Sequence, residues 1–170
     1  MVKKAKNKEI LKRRKFIPFF EKLYKIRAKI GEMVVNQTKI QVLLVTLIGF
    51  RSLKEFPRQN IKKWLFELLD STLGDLIFIF EGFSRKSEQD LVMKLKRFNK
   101  VRNKIMHKIN FYEGRVAVSF GRRKVNFNSI KSDLTEINNE AKKITDQLEN
   151  LIISEHKILF NILKNNEKNK

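Results

Sequence analysis

Apolar residues recur at three- and four-residue steps through most of the chain, which is the spacing of one buried face of an α-helix. The segments with this pattern are predicted helices, with bounds near 18–31, 38–56, 60–82, 88–109 and 129–163. Gly31 and Pro57 are the predicted stops of the first two. Whether 88–109 forms one helix or two is left open by the pattern. The fold predicted is all-α, an up-and-down bundle of four to five helices.

The pattern changes in one region. Residues 115–120 and 124–127 alternate polar and apolar positions around Gly121, which predicts a small β-hairpin near 115–127. A hairpin this small needs the bundle for support. The predicted organisation has three parts: a basic N-terminal arm or helix extension, a helical bundle with a hairpin insertion, and a polar tail. Their bounds are 1–17, 18–163 with the insertion at 111–128, and 164–170.

The charge balance indicates a polyanionic partner. The chain has 38 Lys and Arg against 18 Asp and Glu, a formal net charge of +20. So many positive charges repel one another in a compact protein, and a nucleic acid is the partner that best explains them. An anionic membrane surface is the second interpretation. A third is that abundant Lys, Asn and Ile reflect the base composition of the genome.

Several classes of protein are disfavoured by composition. The absence of cysteine excludes disulfides, thiolate metal sites and thiol nucleophiles. The basic start is not followed by the apolar core of a signal peptide. The longest apolar run, Val42–Phe50, is well below the roughly 20 residues that cross a bilayer. We therefore expect a cytoplasmic protein with no integral membrane association, no metal and no cofactor.

The chemistry-bearing residues cluster around one of the two histidines. Asn103 and His107 are four residues apart and share a helix face, whereas Arg102 and His107 are about 140° apart on an ideal helix. Arg102 and His107 would converge only if Arg102 began a helix, if the helix bent, or if two chains met. The residues around His107 are basic, and like charges favour a neutral imidazole that accepts protons. His156 has no recognisable partner and is interpreted as a surface or boundary residue.

These residues suit RNA cleavage without a metal. A base must remove the ribose 2′-OH proton, and an arginine matches the phosphate oxygens that gather charge. Arg102, His107 and Asn103 are the predicted catalytic residues. The predicted RNA-binding residues are basic neighbours on the same helix and in the hairpin, namely Arg97, Lys100, Lys104, Lys108, Arg122, Arg123 and Lys124. The charges of the hairpin are equally consistent with a solvated loop.

Residues 102–107, Arg-Asn-Lys-Ile-Met-His, resemble the R-N-x-x-x-H form of the R-x4–6-H motif of HEPN-domain proteins. The match extends to chain length, helix order and the position of the motif before a last long helix. The resemblance implies an up-and-down bundle that forms a homodimer with the two motifs facing each other. It also implies a metal-independent endoribonuclease that leaves a 2′,3′-cyclic phosphate, with Arg102 on the phosphate, His107 in proton transfer and Asn103 in support.

The resemblance further suggests a role in toxin–antitoxin systems, phage defence or RNA processing, where an antitoxin is a further partner. One toxin branch has a modified tyrosine two residues after the histidine, and this chain has Ile109 there. That form of regulation is therefore not predicted. HEPN proteins without nuclease activity exist, so a non-catalytic nucleic-acid-binding bundle is the alternative prediction. A membrane-surface protein remains the third.

Overall fold

The structure is a computed structural model that describes residues 2–52, 58–108, 110–112, 115–117 and 127–168. Side-chain surroundings are described at 21, 24–52, 63–107, 130–158 and 160. The described helices are α1 (Val2–Ser52), α2 (Arg58–Leu69), α3 (Leu73–Phe83), α4 (Gln89–Lys108) and α5 (Phe127–Lys168). A short 3-10 turn, Lys86–Glu88, precedes α4. The prediction of an all-α bundle is confirmed at this level.

Helix α1 is longer than predicted, because it runs without interruption through Gly31. A glycine inside a helix costs only about 1 kcal/mol relative to alanine. Tertiary packing offsets that cost, since Ile30 and Met33 are both buried on either side of the glycine. The predicted helix end at Gly31 and the predicted new start near Thr38 are therefore wrong.

The predicted helix over 60–82 is two helices, α2 and α3. Thr72 ends the continuity by capping α3: its Oγ1 accepts a hydrogen bond from the Asp75 backbone N–H at 3.3 Å, and Asp75 Oδ2 accepts one from the Thr72 N–H at 3.2 Å. This reciprocal pair satisfies N–H groups that the first turn of a helix leaves without partners. The apolar stripe continues across the break, which is why periodicity alone suggested one helix.

The predicted hairpin over 115–127 is not shown. The described strands are three residues each, β1 (Asn110–Tyr112) and β2 (Arg115–Ala117), paired antiparallel with Phe111 opposite Val116. Phe127, the last residue of the predicted second strand, instead begins α5. Residues 118–126 lie outside the described part of the chain. The predicted strand over 124–127 is therefore wrong at Phe127, which is helical.

The bundle core is formed by α1, α3, α4 and α5. Helix α4 runs opposite to α1, because Arg51 at the end of α1 meets Glu88 just before α4, and Gln37 earlier in α1 meets Arg102 late in α4. The largest fully buried side chains come from all four helices and include Ile40, Leu44, Leu76, Phe80, Leu95, Phe98 and Leu134. Burial of these side chains holds α4 in place between α3 and α5.

Within the described residues, one segment, Tyr24–Ser52 of α1, is long and apolar enough to cross a membrane, with a mean hydropathy of 1.4. Length and composition are the only criteria it meets, and core helices of soluble proteins meet them too. Its apolar residues Ile40, Leu44 and Ile48 lie in the centre of the bundle core. Asn36 of the same segment donates to Asn138 of α5 at 3.2 Å. Packing against other helices thus accounts for its buried apolar face.

Candidate functional site

Helix α4 carries a solvent-facing stripe of basic and polar side chains. Lys96, Lys100, Asn103 and His107 follow one another at spacings of four, three and four residues, so they lie on one side of the helix. Lys100 and His107 are exposed, as is Lys104, and Asn103 is partly buried. The candidate base and the predicted RNA-binding lysines therefore share an accessible surface.

Arg102 is held by a contact from α1. Its Nε donates to Gln37 Oε1 at 2.8 Å, and Gln37 in turn donates through Nε2 to Gln41 Oε1 at 3.1 Å. Its Nη1 donates to Asn103 Oδ1. Among the described residues, no side chain or backbone group accepts from Nη2 of Arg102. Two sides of the guanidinium are thus fixed, and the Nη2 edge remains for a ligand such as a phosphate.

Arg102 and Asn103 are brought together, whereas Arg102 and His107 are not. Both Arg102 and His107 lie inside the single helix α4, with Arg102 far from its start at Gln89. Within the described residues, no hydrogen bond joins the guanidinium to the imidazole. Five residues of helix separate them by about 7.5 Å along the axis and about 140° around it. Of the three ways in which the two could converge, a helix start at Arg102 is eliminated.

Three of the basic residues on α4 are paired with acids, and one of these pairs, Lys94 with Asp90 at 2.5 Å, lies within the helix. Arg97, a predicted RNA-binding residue, is ion-paired with Glu136 of α5 at 2.8 Å, with Glu140 nearby at 3.8 Å. Lys96 is paired with Glu81 of α3 at 2.6 Å. Arg97 also borders a cleft of about 240 Å³ between α4 and α5 that contains these acids. A phosphate bound at Arg97 would have to compete with carboxylates. Lys104 lines the same cleft, so Lys100 is the stronger candidate for a phosphate contact.

The remaining predicted RNA-binding residues cannot be placed with the others. The Lys108 side chain lies outside the described part of the chain, and so do Arg122, Arg123 and Lys124. Their assignment remains a prediction from the sequence.

A second cavity adjoins the stripe, between α3 and α4. Its volume is about 420 Å³, and its lining consists of Gly74, Ile77, Phe78, Glu81, Lys96, Asn99, Lys100 and Asn103. The Phe78 side chain is 77% exposed at this cavity. Asn99 Oδ1 is buried and accepts no hydrogen bond from the described residues. Because Asn103 also bonds Arg102, the cavity and the candidate catalytic residues are continuous.

A buried ionic cluster fixes the opposite end of α4. Arg51 donates to both carboxylate oxygens of Glu88 at 2.7 Å, to Glu155 at 3.2 Å and to the Phe83 carbonyl at 2.9 Å. Arg85 Nη2 donates to Glu155 at 2.5 Å. The cluster ties α1 to α5 and to the start of α4. It lies about 21 Å along α1 from Gln37 and so anchors α4 without touching the candidate site.

The cluster also shifts the ionisation of its members. Burial raises the pKa of Glu88, but hydrogen bonds from Arg51 and from the Arg85 N–H outweigh it, so the pKa lies below its usual value. For Arg51, burial lowers the pKa, and Glu88 and Glu155 more than offset this, which leaves it raised. Both residues are therefore charged at neutral pH.

Comparison with protein families, with curated proteins and with solved structures finds no match to this chain. Among the residues that the structure describes, no group of three or more His, Asp or Glu side chains could hold a metal ion. His156 is exposed near the end of α5, and its ring meets Phe50 edge-on at 6.3 Å.

Three residues of this site were not found from the sequence: Gln37, Phe78 and Asn99. Gln37 and Gln41 are polar residues four apart in one helix, which is a readable signal of a shared polar contact. Their partner, 65 residues away, is not readable. Phe78 falls among apolar residues that are mostly buried, and periodicity did not separate it from them.

Proposed function

We propose that this chain is a metal-independent endoribonuclease of the HEPN type. The observation that carries the proposal is that the arginine of the motif is oriented by Gln37 and Asn103, while His107 is exposed on the same basic helix, α4. An oriented guanidinium and an accessible imidazole that act on one phosphate are the pair of groups that phosphodiester cleavage needs. RNA is the expected partner, and the formal charge of +20 supports it.

In the proposed reaction, His107 takes the proton of a ribose 2′-OH while that oxygen attacks the adjacent phosphorus. The bond from phosphorus to the 5′-oxygen breaks, which leaves a 2′,3′-cyclic phosphate and a 5′-OH. The leaving oxygen takes a proton from an imidazolium or from water. Arg102 stabilises the charge that builds on the phosphate oxygens through its remaining N–H groups. Asn103 keeps the guanidinium in position.

The site is proposed to be completed in a homodimer. Arg102 and His107 point away from each other around a single α4, so one chain alone does not direct both at one phosphate. Pairing of two copies by a twofold axis would bring the arginine of one copy toward the histidine of the other. This arrangement also follows the HEPN resemblance of the 102–107 motif.

The cellular setting is proposed from the same resemblance. A cytoplasmic toxin, a phage-defence nuclease or an RNA-processing component would each use this chemistry. A toxin would require an antitoxin as a protein partner to hold its activity in check.

A non-catalytic RNA- or DNA-binding protein is the second candidate. The observation that favours it is the lack of any hydrogen bond between Arg102 and His107 in the described residues. In that case both residues and Lys100 would serve only as phosphate or backbone contacts, and their charge would supply affinity without cleavage.

RNA cleavage in the presence of EDTA tests the proposal. Purified wild-type protein should cut single-stranded RNA and leave cyclic phosphate ends, and Arg102→Ala and His107→Ala should each abolish cutting. His156→Ala is the matched control, because it makes the same change at the other exposed histidine, which lies on α5 beside Phe50 and far from Arg102 of α4. Its cleavage rate should equal that of wild type.

The outcome also separates the two candidates. RNA binding without cleavage by wild-type protein would favour the non-catalytic candidate. Full activity of Arg102→Ala or His107→Ala, with unchanged circular dichroism, would show that the assigned residues are not the catalytic ones.

A further inference from the structure

The cavity between α3 and α4 has the volume of a small-ligand site and an exposed aromatic ring in its lining. Its volume of about 420 Å³ falls in the range of small-ligand pockets. One aromatic side chain, Phe78, stands at its edge with 77% of its surface exposed, whereas the neighbouring Ile77 and Phe80 are 3% and 0% exposed. An exposed aromatic face beside a concave surface is what an unstacked nucleobase uses in single-strand recognition.

The charge around the cavity selects an anionic ligand. Lys96 is already paired with Glu81 at 2.6 Å, so the local acid is neutralised. Lys100 lines the same cavity, is exposed and makes no ion pair with a described residue. An ammonium group beside an aromatic ring matches the phosphate and the base of one nucleotide.

The polar lining provides hydrogen-bonding groups at the base edge. Asn103 and Asn99 both line the cavity, and the Oδ1 of Asn99 is buried and without a partner among the described residues. A buried acceptor left unpaired is unfavourable, so a ligand N–H that reaches Asn99 after rotation of its amide would remove that cost. Nucleobases carry such N–H groups at their pairing edges.

The cavity is also continuous with the candidate catalytic residues. Asn103 accepts a hydrogen bond from Arg102, and Lys100, Asn103 and His107 follow one another on the same side of α4. Lys100 and His107 are about 10 Å apart along the helix axis. A nucleotide in the cavity would therefore adjoin the phosphodiester that Arg102 and His107 act on.

We propose that the cavity between α3 and α4 binds one unstacked nucleobase of single-stranded RNA, with Phe78 stacking on the base and Lys100 contacting its phosphate. This inference rests on the proposed RNA-binding function and adds to it a preference for unpaired RNA over duplex. A base held in a duplex is stacked on both sides and cannot place its face against Phe78.

Binding measured in a non-cleaving background tests the inference. All proteins carry His107→Ala, and fluorescence anisotropy gives their affinity for a labelled single-stranded oligoribonucleotide and for its duplex. Phe78→Ala should weaken single-strand binding about 5- to 150-fold, the range of one base–aromatic stack, and leave duplex binding unchanged. Phe78→Trp, which preserves stacking, should retain single-strand affinity.

Phe66→Ala is the matched control, because Phe66 is 69% exposed on α2 and does not line the cavity. It should bind like the parent protein. Equal affinity of Phe78→Ala and the parent for single strands would overturn the inference. A smaller oligomer for Phe78→Ala than for the parent, measured by sedimentation velocity, would also overturn the inference. The Phe78 ring would then pack against a second copy of the chain and not against a base.

Failure of this inference is distinguishable from failure of the proposed function. Loss of affinity in Phe78→Ala supports the base-binding cavity even if wild-type protein cuts no RNA. Unchanged single-strand binding in Phe78→Ala, together with RNA cleavage by the wild-type protein, overturns the cavity alone. Absence of RNA binding by every variant overturns both.

Discussion

Replacement of Glu88 by glutamine should destabilise the protein through the buried ionic cluster. Glu88 and Arg51 are each 6% exposed and share two hydrogen bonds of 2.7 Å. Glutamine keeps nearly the same shape but replaces one carboxylate oxygen by an amide group that cannot accept. Arg51 then loses one buried acceptor and its closest counter-charge. The remaining acceptors are the one amide oxygen left at position 88, Glu155 at 3.2 Å and the Phe83 carbonyl at 2.9 Å.

Breaking a buried ion pair from one side costs about 3–5 kcal/mol. Because Glu155 and Phe83 still contact Arg51, we expect Glu88→Gln to fall at the low end, about 3 kcal/mol. Glu149→Gln is the matched control, since the Lys39–Glu149 pair at 2.8 Å is 53% and 44% exposed. Exposed pairs contribute about 0–1 kcal/mol. The loss of unfolding free energy caused by Glu88→Gln should therefore be about three times that caused by Glu149→Gln, or more.

The pH dependence of stability has a defined sign. The pKa of Glu88 is lowered in the folded protein relative to the unfolded chain, where glutamate titrates near about 4.3. Its contribution is therefore fully present above that value and is lost as the pH falls through the folded pKa. The stability difference between wild type and Glu88→Gln should be constant near neutral pH and shrink in acid.

Urea unfolding followed by circular dichroism measures the change, with Trp64 fluorescence as a second probe because its ring meets Phe83 at 6.5 Å. A loss of about 3 kcal/mol lowers the midpoint by about 1–3 M urea. Equal midpoints for Glu88→Gln and Glu149→Gln would refute the reasoning, as would a stability difference that grows in acid.

The other predictions concern the candidate site. Gln37→Ala should lower the RNA-cleavage rate about 10-fold or more, because Arg102 loses one oriented hydrogen bond of a charged group. Gln41→Ala leaves that bond in place and should cleave at nearly the wild-type rate. Equal cleavage rates for Gln37→Ala and Gln41→Ala would contradict this prediction. Arg102→Lys should lose most cleavage activity in the same assay while its RNA affinity stays close to wild type, because lysine keeps the charge but not the paired N–H donors of arginine. Full activity of Arg102→Lys would argue against a contact between Arg102 and the phosphate. Lys100→Ala should weaken RNA binding and reduce its salt slope by about one counterion, as measured by titration across salt concentrations; an unchanged slope would remove Lys100 from the interface.

Parts of the fold were readable from the sequence and others were not. The end of α4 and the long α5 followed from apolar periodicity, because each buries one continuous face. Gly31 was misread as a stop, since whether a glycine ends a helix depends on the packing of neighbours such as Met33. The break before α3 had a signal in the sequence, the Thr72–Asp75 capping pattern, which the stronger apolar stripe obscured.

The candidate site shows the same division. The common face of Asn103 and His107 follows from helical spacing within one segment. The support of Arg102 by Gln37 depends on how α1 packs near α4, and no local pattern encodes a contact across 65 residues. The exposure of Phe78 is likewise decided by which side of α3 the bundle covers.

We expect Arg102 of one copy and His107 of another to act together on one phosphodiester. Cleavage by mixtures of two inactive variants tests it most directly. Arg102→Ala and His107→Ala, unfolded together and refolded, should recover about a quarter of wild-type activity, because half of the dimers are mixed and each has one intact site of two. Neither variant refolded alone should cut RNA. No recovery in the mixture, with mixed dimers demonstrated by tag pull-down, would contradict the claim.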